Sequence, residues 1–288
     1  MLPVFWPTTG WQLSTRHSQL KTRDFFIDYT MSLFHPIRDA RRKRLTKAPF
    51  PSAWVEIIDR NVPYCQKLSA QERLSLWKLV AVFINEKHFE GCVGQVITQE
   101  IKLTVAAQAC LLLLNLEHNF YEKLRTILVY PAGFEFNKES YASNGIVSEE
   151  MLPVAGVSYS LGVVALSWSD TTHGARRADD GTNVTLHEFA HQLDLLDNAM
   201  NGAPILSERS MYPDWARVLG AEFEALCKAV AEGLPTVINP YGATNPAEFF
   251  AVVTELFFEK PIDLKTAHPA LYEEFRQYYG QDPATRFS

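Results

Sequence analysis

Apolar residues return every three or four positions over several long stretches of the chain, the period of helices with one buried face. At Ser69-Ala70-Gln71-Glu72 a hydroxyl stands three residues before a glutamate. That capping box predicts a helix over 69–88 with Leu74, Leu76, Leu79, Val80 and Phe83 on its buried side. Residues 98–114 read as a second, more apolar helix. The longest apolar run, 105–116, is broken by Gln108 and Asn115 and is too short to span a bilayer. The pattern then changes to β-branched and aromatic runs at 126–130, 154–159 and 163–168, the last two joined by Ser160-Leu161-Gly162 as a turn. A Gly- and Asp-rich loop at 174–181 follows. Helical spacing resumes from 184 to about Asn198, and again over 213–232 with Trp215, Val218, Leu219, Phe223, Leu226 and Val230 on one stripe. A helix opened by Asn245-Pro246 runs up to Pro261, and a short aromatic one covers 269–279. The pattern predicts an α+β fold, mainly helical, with a helical subdomain at 31–120 and the chemistry in 121–288.

The chemistry starts at Asn183-Val184-Thr185-Leu186-His187-Glu188-Phe189-Ala190-His191-Gln192-Leu193-Asp194. His187 and His191 stand one helical turn apart on one face, so both imidazoles can share one metal ion. Glu188 lies about 100° further round and can reach a water on that metal. For this composition a chance His-Glu-x-x-His is expected on the order of 0.01 times. The alternative, a polar face with two satisfied histidines, sits badly with Leu186, Phe189, Ala190 and Leu193 around it, because unpaired polar groups near a core are costly. Such a site needs a third protein ligand and one open position. Glu248 and Glu255 are seven residues apart on the otherwise apolar helix after Asn245, which suits one carboxylate on the metal and another behind it. The other reading of Glu248 is a capping box with Asn245. Asp194 shares the histidine face and could orient an imidazole from behind; a surface aspartate is the rival reading. His88 and His118 read as helix-end residues, and His268 as structural. His173, in the preceding loop, is open to a substrate contact.

His187-Glu188-Phe189-Ala190-His191-Gln192-Leu193-Asp194, followed by Tyr241, Glu248, Phe250 and Ala251 in that spacing, resembles the Mlc titration factor A family. These are bacterial zinc peptidases of the gluzincin type, with an active site similar to that of anthrax lethal factor. The resemblance covers residues 40–287, including Phe257-Phe258 and Gln281-Asp282-Pro283. It implies a zincin-like fold with a small mixed sheet packed on the helix of His187. It also implies one Zn²⁺ per chain on His187, His191 and Glu248, with Glu188 as base and Tyr241 as donor to the developing oxyanion. A packing role in the Pro240-Tyr241-Gly242 turn is the alternative for Tyr241. The resemblance further implies peptide or protein substrates, aminopeptidase-type hydrolysis by a metal-activated water, and binding of an Mlc-like transcriptional repressor of sugar uptake. A non-catalytic metalloprotein that sequesters a repressor is the competing class. An edge strand before the metal helix pairs with substrate backbone in gluzincin-like sites, and Val163–Ser167 is the candidate; an inner strand is the alternative.

Composition narrows the rest. With 288 residues, 47% hydrophobic and 21% charged, the chain is of ordinary globular type. A net charge of −6 gives no reason to expect direct nucleic-acid or anionic-membrane binding. The basic segment 37–47 reads as a solvated face. Cys65, Cys92, Cys110 and Cys227 are scattered, as reduced thiols of a cytoplasmic protein would be. Residues 1–30 show no period and no signal-peptide pattern. They read as a poorly ordered, over-extended start ahead of Met31.

Overall fold

The structure is a computed structural model that describes residues 36–116, 120–141, 147–154, 156–159 and 162–287. The expectations for residues 1–30 and His118 lie outside the described residues. Among the described residues no helix is long and apolar enough to cross a membrane.

The basic segment forms helix α1, Pro36–Lys47, which buries no residue. It is strapped on by polar contacts instead: Arg38 pairs with Glu122, and Arg42 makes two hydrogen bonds of 2.7 Å to Glu86. Helices α2, Ser52–Asn61, and α3, Ala70–Glu86, follow, and both halves of the Ser69–Glu72 capping box are made. Leu74 departs from the expected stripe and is 55% exposed, because the face of α3 that meets the core is centred on Leu76, Val80 and Phe83. After strand β1, His88–Gly91, helix α4, Gln99–Leu112, is buried along nearly its whole length, so its even apolarity is that of a central helix.

Strands β2 (Thr126–Tyr130), β3 (Phe134–Tyr141), β4 (Val147–Val154), β5 (Gly156–Tyr159) and β6 (Val163–Ser167) come next. The main sheet has the order β1-β2-β6-β5, with β1, β2 and β6 parallel and β5 antiparallel to β6, while β3 and β4 form a separate hairpin. Val163–Ser167 is therefore an inner strand, not the edge, since it pairs with β2 on one side and β5 on the other. The edge beside the metal helix is β5. Ser167 then caps helix α5, Trp168–Arg176, through the Asp170 N–H at 3.3 Å, so the expected loop begins only after Arg176.

Helix α6, Val184–Asp194, carries the two histidines and is capped by Asn183, whose side chain accepts from the Thr185 and Leu186 N–H groups. Helix α7, Tyr212–Ala231, buries Trp215, Val218, Leu219 and Leu226, whereas Val230 is 38% exposed in its last turn. Helix α8, Pro246–Glu259, leads into two short helices, α9, Pro261–Ala267, and α10, Pro269–Tyr279. The fold is thus α+β and mainly helical, with a small mixed sheet against α6.

The buried apolar residues form one cluster that draws on every one of α2 to α10 and on the inner strands. Phe189 anchors the back of α6 in it, with its ring 5.7 Å from Phe83 and 5.0 Å from Tyr121. Phe189→Ala should lower unfolding free energy by about 3–5 kcal/mol, because the side chain is fully enclosed and leaves a cavity. Urea denaturation measures this; a loss under about 1 kcal/mol would mean that the back of α6 is loosely packed.

Candidate metal centre

Helices α6 and α8 bring three side chains to one point. His187 Nε2 lies 2.9 Å from Glu248 Oε2, His191 Nε2 lies 3.3 Å from the same oxygen, and the two imidazole nitrogens are 3.2 Å apart. Ligands 2.0–2.2 Å from a tetrahedral zinc stand about 3.3–3.6 Å from one another, so the triangle is close to the size such an ion requires. Among the described residues this is the group of His, Cys, Asp and Glu that could hold a metal ion. Two nitrogens and a carboxylate oxygen are the donor set zinc accepts. Their mutual approach calls for a positive charge between them, and the residues present fit the metal.

Glu248 settles between its two readings by doing half of each. Its backbone N–H is capped by the Asn245 side chain at 3.0 Å, but its carboxylate turns to the histidines rather than back to the cap. Burial raises its pKa, but hydrogen bonds with His187 and His191 prevail and hold the carboxyl well below its usual range. Burial likewise works against charge on His187, and Glu248 and Glu255 outweigh it.

Glu255 stands behind His187. Its Oε1 accepts from His187 Nδ1 at 2.7 Å, which leaves Nε2 as the atom facing Glu248. Its other oxygen accepts the Asn183 N–H at 2.5 Å. One turn on, the buried Glu259 accepts from Asn183 Nδ2 at 3.0 Å and from the Gly181 N–H at 3.1 Å. Sequence reasoning missed Glu259, although its spacing of eleven from Glu248 puts it on the same face.

Asp194 is fully buried, not on the surface, and its Oδ2 accepts from the Gly202 N–H at 2.8 Å. The His191 Nδ1 and Asp194 Oδ1 atoms are both buried without a hydrogen-bond partner. Asp194 therefore holds a loop rather than an imidazole here. Gly202 in turn receives the Trp215 indole N–H on its carbonyl, and a Cβ there would stand 2.3 Å from the Pro246 carbonyl oxygen. Through this close approach the end of α6 sets where α8, and with it Glu248, begins.

Glu188 and Tyr241 flank the triangle. The Tyr241 ring centroid is 6.0 Å from that of His187, and Tyr241 is 53% exposed on a short helical turn, Pro240–Ala243. Burial, helped by Glu248 and Glu188, pushes its hydroxyl up to about 12, so it is a protonated donor at neutral pH. Glu188 packs against β5: a Cβ on Gly156 would stand 2.8 Å from Glu188 Oε1 and 2.6 Å from Val184 Cγ2. Only a glycine permits so close an approach, and nothing in the local sequence announces it. Away from this group, His173 lies 3.7 Å from Asp180, and His268 pairs with Glu222 at 2.8 Å as a structural residue.

The family model described as glucose-regulated metallo-peptidase M90 matches residues 37–280. The chain belongs to this M90 family. It is 44% identical over 246 residues to the uncharacterized protein slr2042 of Synechocystis sp., covering 85% of this chain and 90% of that protein. It is 31% identical over 229 residues to Mlc titration factor A of Salmonella typhi, covering 78% and 85%. Against Mlc titration factor A of Cronobacter sakazakii the identity is 29% over 245 residues, covering 84% and 90%.

In this M90 protein the fixed tautomer of His187 is the feature most open to test. Glu255→Ala should weaken zinc binding by about 10–100-fold, and Glu255→Gln less, because an amide oxygen can still accept from Nδ1. Competition with a chromophoric chelator measures both. Equal affinity in all three proteins would reduce Glu255 to a packing residue.

Proposed function

We propose that the protein is a zinc-dependent peptidase that hydrolyses peptide bonds with a metal-activated water. The observation that carries this reading is the buried Glu188 carboxyl beside a His187, His191 and Glu248 triangle of zinc-ligand chemistry. A bound zinc ion supplies Lewis acidity, polarising the scissile carbonyl and lowering the pKa of its water toward neutrality. Glu188 takes the proton of the attacking water and returns it to the leaving amine, so the water adds across the C–N bond and Glu188 ends as it began. Burial first, with Glu248 and Glu255 adding to it against His187, pushes the Glu188 carboxyl up to about 8. Tyr241 donates its O–H to the oxygen that becomes negative as the carbonyl is attacked. Among the described residues the outer edge of β5 pairs with no strand, and β5 packs against Glu188 through Gly156, which supports β5 rather than β6 as the strand for extended substrate backbone. Aminopeptidase-type action is the form the family resemblance implies, and amino-acid anilides test it.

A second reading draws on the relatives called Mlc titration factor A. The protein also captures an Mlc-like repressor of sugar uptake, and a protein acting by capture alone would have no use for Glu188. No role in direct nucleic-acid binding is proposed.

Zinc content and peptide hydrolysis, measured together, test the main reading. Wild type and Glu188→Gln should each hold one zinc per chain, with turnover lower by about 10²–10⁴-fold in the variant. Zinc in both with no cleavage of any peptide would leave capture as the function. Tyr241→Phe should keep its zinc and lose about 10²–10³ in kcat; unchanged turnover would remove Tyr241 from the reaction. Gly156→Ala should keep its zinc too, while the added methyl displaces Glu188 and cuts kcat. Full activity in that variant would show that Glu188 does not depend on the strand.

A further inference from the structure

Residues 120–125 take a path that a chain avoids unless it is held. Phe120 and Tyr121 stand at φ of 59° and 51°, two successive aromatic residues in the left-handed region, where a side chain crowds its own backbone. Such a conformation persists only where the surroundings over-determine it. From the inside, the buried Lys87 ammonium donates to the Tyr121 and Leu124 carbonyls at 2.6 and 2.9 Å. The Tyr121 hydroxyl donates to the Ala109 carbonyl of α4 at 2.8 Å, and its ring packs 5.0 Å from that of Phe189. From the outside, α1 sets Arg38 against Glu122 and the Arg42 guanidinium 4.3 Å from the centre of the Phe120 ring.

The loop so held presents one side chain to the metal helix. Lys123 Nζ donates to the Leu195 carbonyl at 2.9 Å, the Leu196 carbonyl at 2.7 Å and Asn198 Oδ1 at 2.8 Å. An ammonium has three donors and no acceptor, so it meets these acceptors one to one, at the negative end of the α6 dipole. Asn198 closes the turn at φ of 69°. We propose that Lys123 is a positioning residue of the metal centre, fixing through this turn how the histidines of α6 stand to Glu248 of α8.

The route between them is short. Asp194, the last residue of α6, accepts the Gly202 N–H at 2.8 Å. Gly202 lies against Pro246, which opens α8 with Glu248 in its first turn. The turn at 195–198 sits between Asp194 and Gly202 in the chain, so a shift there moves Gly202 against the start of α8. The proposal rests on the metal-centre reading for what is positioned, not for the brace itself.

The test compares full-length wild type, Lys123→Met and Lys123→Arg. Hydrogen exchange, followed by mass spectrometry without metal, should rise about ten-fold over 195–202 in Lys123→Met and stay near wild type in Lys123→Arg. Chelator competition for zinc and the visible absorption of the Co²⁺-substituted proteins then read the site. Lys123→Met should bind zinc about three- to ten-fold more weakly and shift the Co²⁺ bands, and Lys123→Arg should restore both. A residue that only stabilises the fold would leave both unchanged in folded protein. Faster exchange with unaltered zinc affinity and Co²⁺ bands would therefore make Lys123 a helix cap and overturn the proposal. Unchanged exchange, or no restoration by arginine, would overturn it as well. Wild type that takes up neither ion fails the metal-centre reading itself, whereas equal zinc affinity in wild type and Lys123→Met fails Lys123 alone.

Discussion

Two imidazole nitrogens and a carboxylate oxygen sit within about a hydrogen bond's length of one another on two different helices, and that convergence is the constraint the rest of the fold serves. Helix α8 reaches it by laying an acidic stripe against the first turn of α6. Glu255 and Glu259 both accept hydrogen bonds at that turn, two of them from backbone N–H groups at Asn183 and Gly181. Negative charge is favoured there, because the N-terminus of a helix carries unpaired donors and the positive end of its dipole. At the other end Lys123 donates to the Leu195 and Leu196 carbonyls and to Asn198, a cation where the dipole is negative. The helix carrying the histidines is held at both ends by such hydrogen bonds, although burial pushes the Glu259 carboxyl up to about 9 and so leaves it neutral.

Packing explains why the clamp is rigid. Phe249, Phe250, Phe257 and Phe258 bury the remaining faces of α8, and the Phe250 and Phe257 rings meet Trp215 of α7 and Phe275 and Tyr279 of α10. A ligand triangle needs to be held to within a fraction of an ångström, which regular elements locked in a core do better than loops. What faces solvent is different in kind: the loop at 180–182 and the exposed ring of Tyr241. His187, His191 and Glu248 are held by the core, and Tyr241 stands at the rim.

The sequence made the metal side of this legible because each feature there has a local signature. His-Glu-x-x-His, the Asn245-Pro246 start and the seven-residue step from Glu248 to Glu255 all express helical geometry, which spacing records directly. Partners across the fold were harder. The strand at His88–Gly91 has too few apolar residues to be seen, and its place is fixed by pairing with β2. The edge went to β5 instead of β6 because strand order is a tertiary property that two similar β-branched runs do not encode. Asp194 was legible as sharing the histidine face, but its partner, Gly202, is a backbone group that side-chain patterns cannot name. Leu74 fits the helical period and still faces water, since period gives a stripe and only packing gives its centre.

Two glutamates, sixty positions apart, stand close to His187, and their surroundings push them in opposite directions. Glu248 is partly buried, and hydrogen bonds with His187 and His191 outweigh that burial and hold its carboxyl well below the usual range. Glu188 has burial and the charges of Glu248 and Glu255 against it, with only the His187 charge in its favour, and its carboxyl rises to about 8. Groups whose environments drive their pKa values apart are the usual mark of divided labour in an active site. The difference follows from position on one helix. His187 and His191 share the face that meets α8, whereas Glu188 is turned about 100° away toward β5, where Gly156 presses against it. A carboxylate on the histidine face would crowd Glu248 and the two imidazoles; Glu188, turned toward β5 where Gly156 carries no side chain, is held to one side of them.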